Sequence, residues 1–249
     1  RAKAVRDLSR KYGVIFAQDG HQGGSIQFAH DPLDLLGPDA VFSHSINLTE
    51  KEIELCRQTD TKIVHNPSAI MSILGRCPVP ELLDAGVTVS LGSDGTAPDR
   101  SYDMFRHMAQ CMHYHRTFYH DPDYLPPGKV LEMVTIDGAR VLGMDKEIGS
   151  LEVGKRADII LVDMFKPHLV PLNMPVFRTV YFANGADVDT VLVDGKVLME
   201  GRAVRTVNEA EVLKMAQKEA ETMLGRVSLR ALLEPREGFW GRSRYRSSR

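Results

Sequence analysis

Val87-Thr88-Val89-Ser90-Leu91-Gly92-Ser93-Asp94-Gly95 runs from an apolar, β-branched stretch into a glycine-flanked turn that carries a single carboxylate, Asp94. Such a run reads as a buried parallel strand, and the mouth of a parallel strand is where α/β barrels keep their chemistry. Two stretches upstream repeat the arrangement. Ala40-Val41-Phe42-Ser43 leads into His44, and Gly13 to Ala17 leads into a loop bearing Asp19 and His21. His and Asp groups at neighbouring strand ends point to metal-assisted hydrolysis.

The pattern around these runs alternates regularly. Ala4, Leu8 and the Lys11-Tyr12-Gly13 ending mark an opening helix, and Asp34 to Leu36 is helix-like up to Gly37-Pro38. Thr49 with Glu52 three residues on is a capping-box pattern that starts a helix containing Ile53 and Cys56. Thr61 to His65 reads as a strand and Pro80 to Ala85 as a helix ended by Gly86. Four short apolar strands separated by helices mean a parallel sheet covered on both faces. Helices are then predicted over Tyr102 to Arg116 and Lys129 to Leu142. Beyond Gly143 the texture changes, with strands predicted over Ile159 to Asp163, Val176 to Phe182 and Val188 to Val193. The last of these turns through Asp194-Gly195 into Lys196 to Met199, a type I′ hairpin. Strands without intervening helices predict a small antiparallel module. Asn208 to Leu224 reads as a helix capped by Asn208, and the arginine-rich tail from Arg236 as disordered.

Composition limits the function. The 249 residues carry 31 Lys and Arg against 33 Asp and Glu, a net charge of −2, so no basic field recruits nucleic acid or an anionic membrane. A small molecule is the expected partner. No apolar run reaches a membrane span, and the start has no signal-peptide core. Cys56, Cys77 and Cys111 share no CxxC spacing and read as reduced thiols, so a cytoplasmic location is expected. The start on Arg1, in the middle of a helical pattern, suggests a piece of a longer chain.

The segments His44-Ser45-Ile46-Asn47-Leu48-Thr49, Leu91 to Gly95 and Ile148-Gly149-Ser150-Leu151-Glu152-Val153-Gly154-Lys155-Arg156-Ala157-Asp158 resemble the amidohydrolase superfamily, in its branch of triazine hydrolases and nucleobase or adenosine-type deaminases. The third segment resembles the crossing from the metal barrel into a small β-sandwich. The resemblance implies the C-terminal half of a (β/α)8 barrel over 1–145, part of the sandwich over 146–207, and a C-terminal helix and basic tail over 208–249. It implies one divalent metal, zinc or iron. It makes Asp94 the strand-eight metal ligand and proton carrier, and His44 the strand-six histidine beside water and substrate. The family's first-strand HxH pair is missing, since the one pair of that spacing, His113 and His115, falls inside a predicted helix.

At strand five the family's His followed three residues later by Glu is replaced by Ala17-Gln18-Asp19-Gly20-His21-Gln22. His21 or Asp19 is then the ligand, His21 being preferred because imidazole suits zinc and iron alike. Gln22, His65, Asn66 and Ser93 are the candidate substrate contacts, with His65 as pocket wall or in support of the metal residues. Each has a bland rival. Asp94 before Gly95 is also a turn former using its side chain on the backbone, and His44 alone is also a satisfied core histidine. His107, His113, His115 and His120 suggest a metal tract, but their helical spacing beside Met104, Met108 and Met112 favours a solvated helix face with a methionine core stripe. The expected function is hydrolysis of non-peptide C–N bonds, an aminohydrolase acting on a nitrogen heterocycle or cyclic amidine; the whole protein is expected to be a homo-oligomer and the 249 residues alone inactive. The alternative is a non-catalytic relative that has lost its metal and serves in assembly or binding.

Overall fold

The computed structural model describes residues 1–20, 22–69, 71, 73–95, 101–227, 233–235, 237–241 and 243. His21, Asp99, Arg100 and most of the arginine-rich tail lie outside them.

Helix α1 (Ala2–Tyr12) ends at Gly13, whose left-handed φ of 62° lets its N–H cap the last turn. Four strands follow, β1 (Phe16–Asp19), β2 (Ala40–Ser43), β3 (Lys62–His65) and β4 (Val89–Leu91). They form one parallel sheet in chain order, with Asp19 level with Ser43, Ser43 with Val64, and His65 with Leu91. Helices α2 (Ser25–His30), α3 (Glu50–Thr59) and α4 (Val79–Asp84) connect them. Period-two alternation sends Phe16, Phe42, Ile63 and Val89 to one face, where they join Ile26, Cys56 and Leu82 in the core.

The capping box predicted at Thr49 is formed. Glu52 also accepts from the backbone N–H groups of Ile26 and Gln27, so one buried carboxylate caps α2 and α3 together. Burial pushes the Glu52 carboxyl upward, but backbone hydrogen bonds from Gly24, Thr49 and Gln27 outweigh it and hold its pKa below the usual value. Glu52→Gln is expected to cost about 2–3 kcal/mol at pH 7, the range for hydrogen bonds to a charged group. Because the folded pKa is depressed, this contribution is complete above the ordinary glutamate pKa and fades as pH falls through the folded one. Urea unfolding of both proteins at pH 7 and pH 4 checks it, the gap narrowing at pH 4.

After β4 come α5 (Met104–Tyr119), α6 (Pro127–Met133), α7 (Ile136–Val141), β5 (Ile159–Val162) and α8 (Pro175–Phe182). The single helix expected over Lys129 to Leu142 is two. Thr135 Oγ1 donates back to Leu131 O at 2.7 Å as the chain breaks there. Val176 to Phe182, expected as a strand, is α8. Pro175 starts it, and buried Val180, with Tyr181 packed against the core, forms the face that meets α5 and α6. The short helix expected at Asp34 to Leu36 is absent, and α2 begins nine residues earlier, at Ser25.

β5 then pairs antiparallel with β6 (Val188–Val193), β6 with β7 (Lys196–Glu200), and β7 with β8 (Ala203–Val204). Asp194 and Gly195 both take positive φ, as a type I′ turn requires. The crossing segment is pinned at both ends. Lys155 Nζ donates to Asp145 O and Ser150 Oγ, while Asp158 Oδ1 accepts from Asp194 N–H in the hairpin. A Cβ on Gly149 would sit 2.7 Å from the Ala139 Cβ, so this close approach to α7 needs glycine. Finally α9 (Glu209–Arg226) is capped by Asn208 and buries none of its residues. No described helix is long and apolar enough to cross a membrane.

Candidate active site

Three loops leave the same end of the parallel sheet while still laddered to their neighbours. Gly20 N–H donates to Ser43 O at 2.8 Å, His44 N–H to Val64 O at 2.9 Å, and Gly92 N–H to His65 O at 2.9 Å. The residues just past the strands are therefore held as firmly as the strands themselves. Asp19, at the end of β1, points to the face opposite the core, into a concavity of about 360 Å³ that it lines with Ala17, Val41, Ser43 and Val64.

Strict alternation would send His44 after Phe42 onto the core face. Instead His44 and Ser45 adopt left-handed backbone, φ 66° and 47°, which turns the chain at the strand end. The imidazole thereby meets Asp19: Nε2 lies 3.8 Å from Asp19 Oδ1 and 3.6 Å from Asp94 Oδ2. Asp94 is left-handed as well, at φ 59°. Non-glycine residues in this region cost of order 1–3 kcal/mol each, and they persist where the surroundings over-determine them, as at functional sites.

Asp94 forms the turn and faces His44 at once. Its Oδ1 accepts from Gly95 N–H at 2.5 Å, the turn-forming role, while Oδ2 faces His44. His44 is 6% exposed, and its Nδ1 accepts from Asn66 Nδ2 at 3.2 Å. Asn66 Nδ2 also donates to Ser43 Oγ at 2.7 Å. An imidazole that accepts at Nδ1 carries its hydrogen at Nε2, so His44 presents a donor to the carboxylates. Asn66, expected as a substrate contact, thus orients His44 from behind. Gly92 makes this possible, since a Cβ there would stand 2.4 Å from Asn66 Oδ1. Ser93 is half-buried, with Oγ donating to Asp94 O, and Gln22 is exposed beside the start of α2.

His65 does not wall this site. Alternation along β3 puts it with Ile63 on the core face, 1% exposed and facing α5, with its ring 5.7 Å from that of His115. The α5 histidines also differ from the expected solvated face. Met108 and Met112 are core residues as predicted, but His107 and His115 are fully buried with them, leaving only His113 and His120 exposed. The three cysteines are free and buried, and burial raises each thiol pKa, that of Cys56 to about 12, so none is a ready nucleophile.

The donor set suits a divalent cation, with two carboxylate oxygens converging on the edge of one imidazole. Asp94 and Asp19 are the described residues that could hold it, and His21 lies outside the described residues.

Residues 11–198 match the model of the amidohydrolase family. The chain is 41% identical over 194 residues to a 5-methylthioadenosine/S-adenosylhomocysteine deaminase of Syntrophobacter fumaroxidans, covering 78% of this chain and 44% of that protein. It is 40% identical over 199 residues to a 5′-deoxyadenosine deaminase of Methanosarcina mazei, covering 80% of this chain and 46% of the other. A crystal structure of an adenosine deaminase from Xanthomonas campestris with bound zinc superposes with a TM-score of 0.83 at 26% identity, over 89% of this chain and 53% of that one. The parallel sheet thus shares the fold of that zinc-bound deaminase over most of this chain. The chain belongs to the amidohydrolase family, and it spans about half the length of the curated relatives it matches.

Proposed function

We propose that the whole protein is a divalent-metal aminohydrolase that replaces an exocyclic amino group on a nitrogen heterocycle by oxygen and releases ammonia. The observation that carries this reading is the meeting of Asp19, His44 and Asp94 at the ends of β1, β2 and β4, with His44 Nε2 3.6 Å from Asp94 Oδ2. The names of the two curated relatives above, both deaminases of adenosines modified at the 5′ end, support a 6-aminopurine nucleoside as substrate.

β1 to β4 would be the fifth to eighth strands of the barrel, and the antiparallel strands part of a small sandwich. The order Asp19, His44, Asp94 and then the crossing at Ile148 to Asp158 supports this. The one HxH pair in the chain supports it too, since His113 and His115 sit on α5 with His115 buried. A divalent ion held by Asp94 with His21 or Asp19 would lower the pKa of a water toward about 7. Asp94 takes the proton from the attacking water and returns it to the departing amine. His44, fixed as a donor by Asn66, polarises the ring at the carbon attacked and stabilises the charge that develops. Ser93 and Gln22, at the rim, are the groups offered to the substrate.

The test is ammonia release by the full-length protein, supplied with zinc or ferrous iron, from 5′-modified adenosines, aminopyrimidines and aminotriazines. The reading expects turnover with the adenosines above the other two classes. Turnover confined to the other classes would overturn the substrate assignment, and a folded, metal-loaded protein that releases no ammonia would leave the non-catalytic alternative standing.

A further inference from the structure

Away from the strand-end site, Cys111 and His115 stand one turn apart on α5, and His65 meets them from the end of β3. All three are buried, and one potential ligand atom from each lies within 4.8 Å of the others. His65 Nε2 and both ring nitrogens of His115 have no hydrogen-bond partner among the described residues. His107 on the same helix shows the ordinary solution: equally buried, it has Ser101 O 2.6 Å from Nε2 and Ser68 Oγ 3.3 Å from Nδ1. Three unpartnered imidazole nitrogens on two buried rings, with the Cys111 thiol in the same cluster, make a donor set of the kind a zinc-class cation binds.

We propose that His65, Cys111 and His115 form a second, buried metal site of three protein donors for a zinc-class cation that staples the end of β3 to α5. One thiolate and two imidazoles select zinc over magnesium or calcium. Bonds of about 2.0–2.1 Å to nitrogen and 2.3 Å to sulfur set donor separations of about 3.3–3.6 Å, so the cluster closes by roughly an ångström on binding. Burial holds both imidazoles neutral, that of His115 with its pKa near 4, so their lone pairs are available. The cation displaces one proton, from the Cys111 thiol to solvent, and no oxidant or reductant takes part. None of the three residues belongs to the Asp19, His44 and Asp94 site. The staple does bear on it, because His65 directly precedes Asn66, which holds the His44 ring.

Cobalt(II) substitution of the purified full chain reads the site without reference to catalysis, because a thiolate ligand to cobalt gives a near-ultraviolet charge-transfer band. The band is expected in the wild type, to be lost with one metal equivalent per chain in Cys111→Ser and His115→Gln, and to persist in Cys77→Ser and in Asp94→Asn, whose loss of metal at the other site leaves it untouched. X-ray absorption at the zinc edge of the wild type, which needs no variant to fold, is expected to show a sulfur scatterer at about 2.3 Å. A folded wild type with no thiolate band and no sulfur neighbour to zinc would overturn the site, as would a band that survives Cys111→Ser.

Discussion

Replacing Asp94 by Asn is expected to lower kcat for ammonia release by about 10³-fold or more, since in the proposed mechanism it removes both the proton carrier and an anionic metal ligand. The substitution is chosen from the geometry. Asn tolerates the left-handed φ of 59° at this position, and its Oδ1 still accepts from Gly95 N–H, so the turn survives while the charge is lost. Circular dichroism should therefore be unchanged while the metal content falls. Steady-state kinetics on the full-length protein checks the effect, and activity within tenfold of wild type would remove Asp94 from the reaction.

His44→Asn is expected to reduce kcat by about 10²–10³-fold, the cost of losing one preorganised donor. Asparagine again accepts the left-handed backbone that His44 adopts at φ 66°, but its amide stops short of the Nε2 position between Asp19 and Asp94. Most of the loss should fall on kcat rather than KM, because the donor acts on charge that develops only in the transition state. A variant in which KM rises and kcat stays constant would make His44 a simple binding group.

The sheet was legible because short β-branched runs bounded by glycine and proline have few other uses. Its limits shifted where local sequence competes with register: Val14 and Ile15 look like strand, yet they are exposed and β1 begins at Phe16. The helix α8 was misread for the opposite reason. Val176, Thr179 and Val180 favour strand locally, and only packing on α5 and α6 settles them as helix. In the site, Asp94 and His44 were readable from their position after apolar runs. Their mutual approach was not, because it depends on left-handed turns that sequence does not declare at non-glycine residues. Asn66 and His65 show the same limit from the other side. Adjacent in sequence, they part by alternation, one turning to His44 and the other to α5. The burial of His107 and His115 was missed because a histidine on a helix carries no mark of which face is covered.

In the proposed mechanism Asp94 and His44 work as one unit across the 3.6 Å that separates them. A double-mutant cycle in kcat/KM for ammonia release tests this most directly. Asp94→Asn combined with His44→Asn is expected to fall no more than about tenfold below the poorer single variant, since groups that act together are lost together. Losses that instead multiply to the full product of the two singles would contradict it, showing two residues that serve the reaction independently.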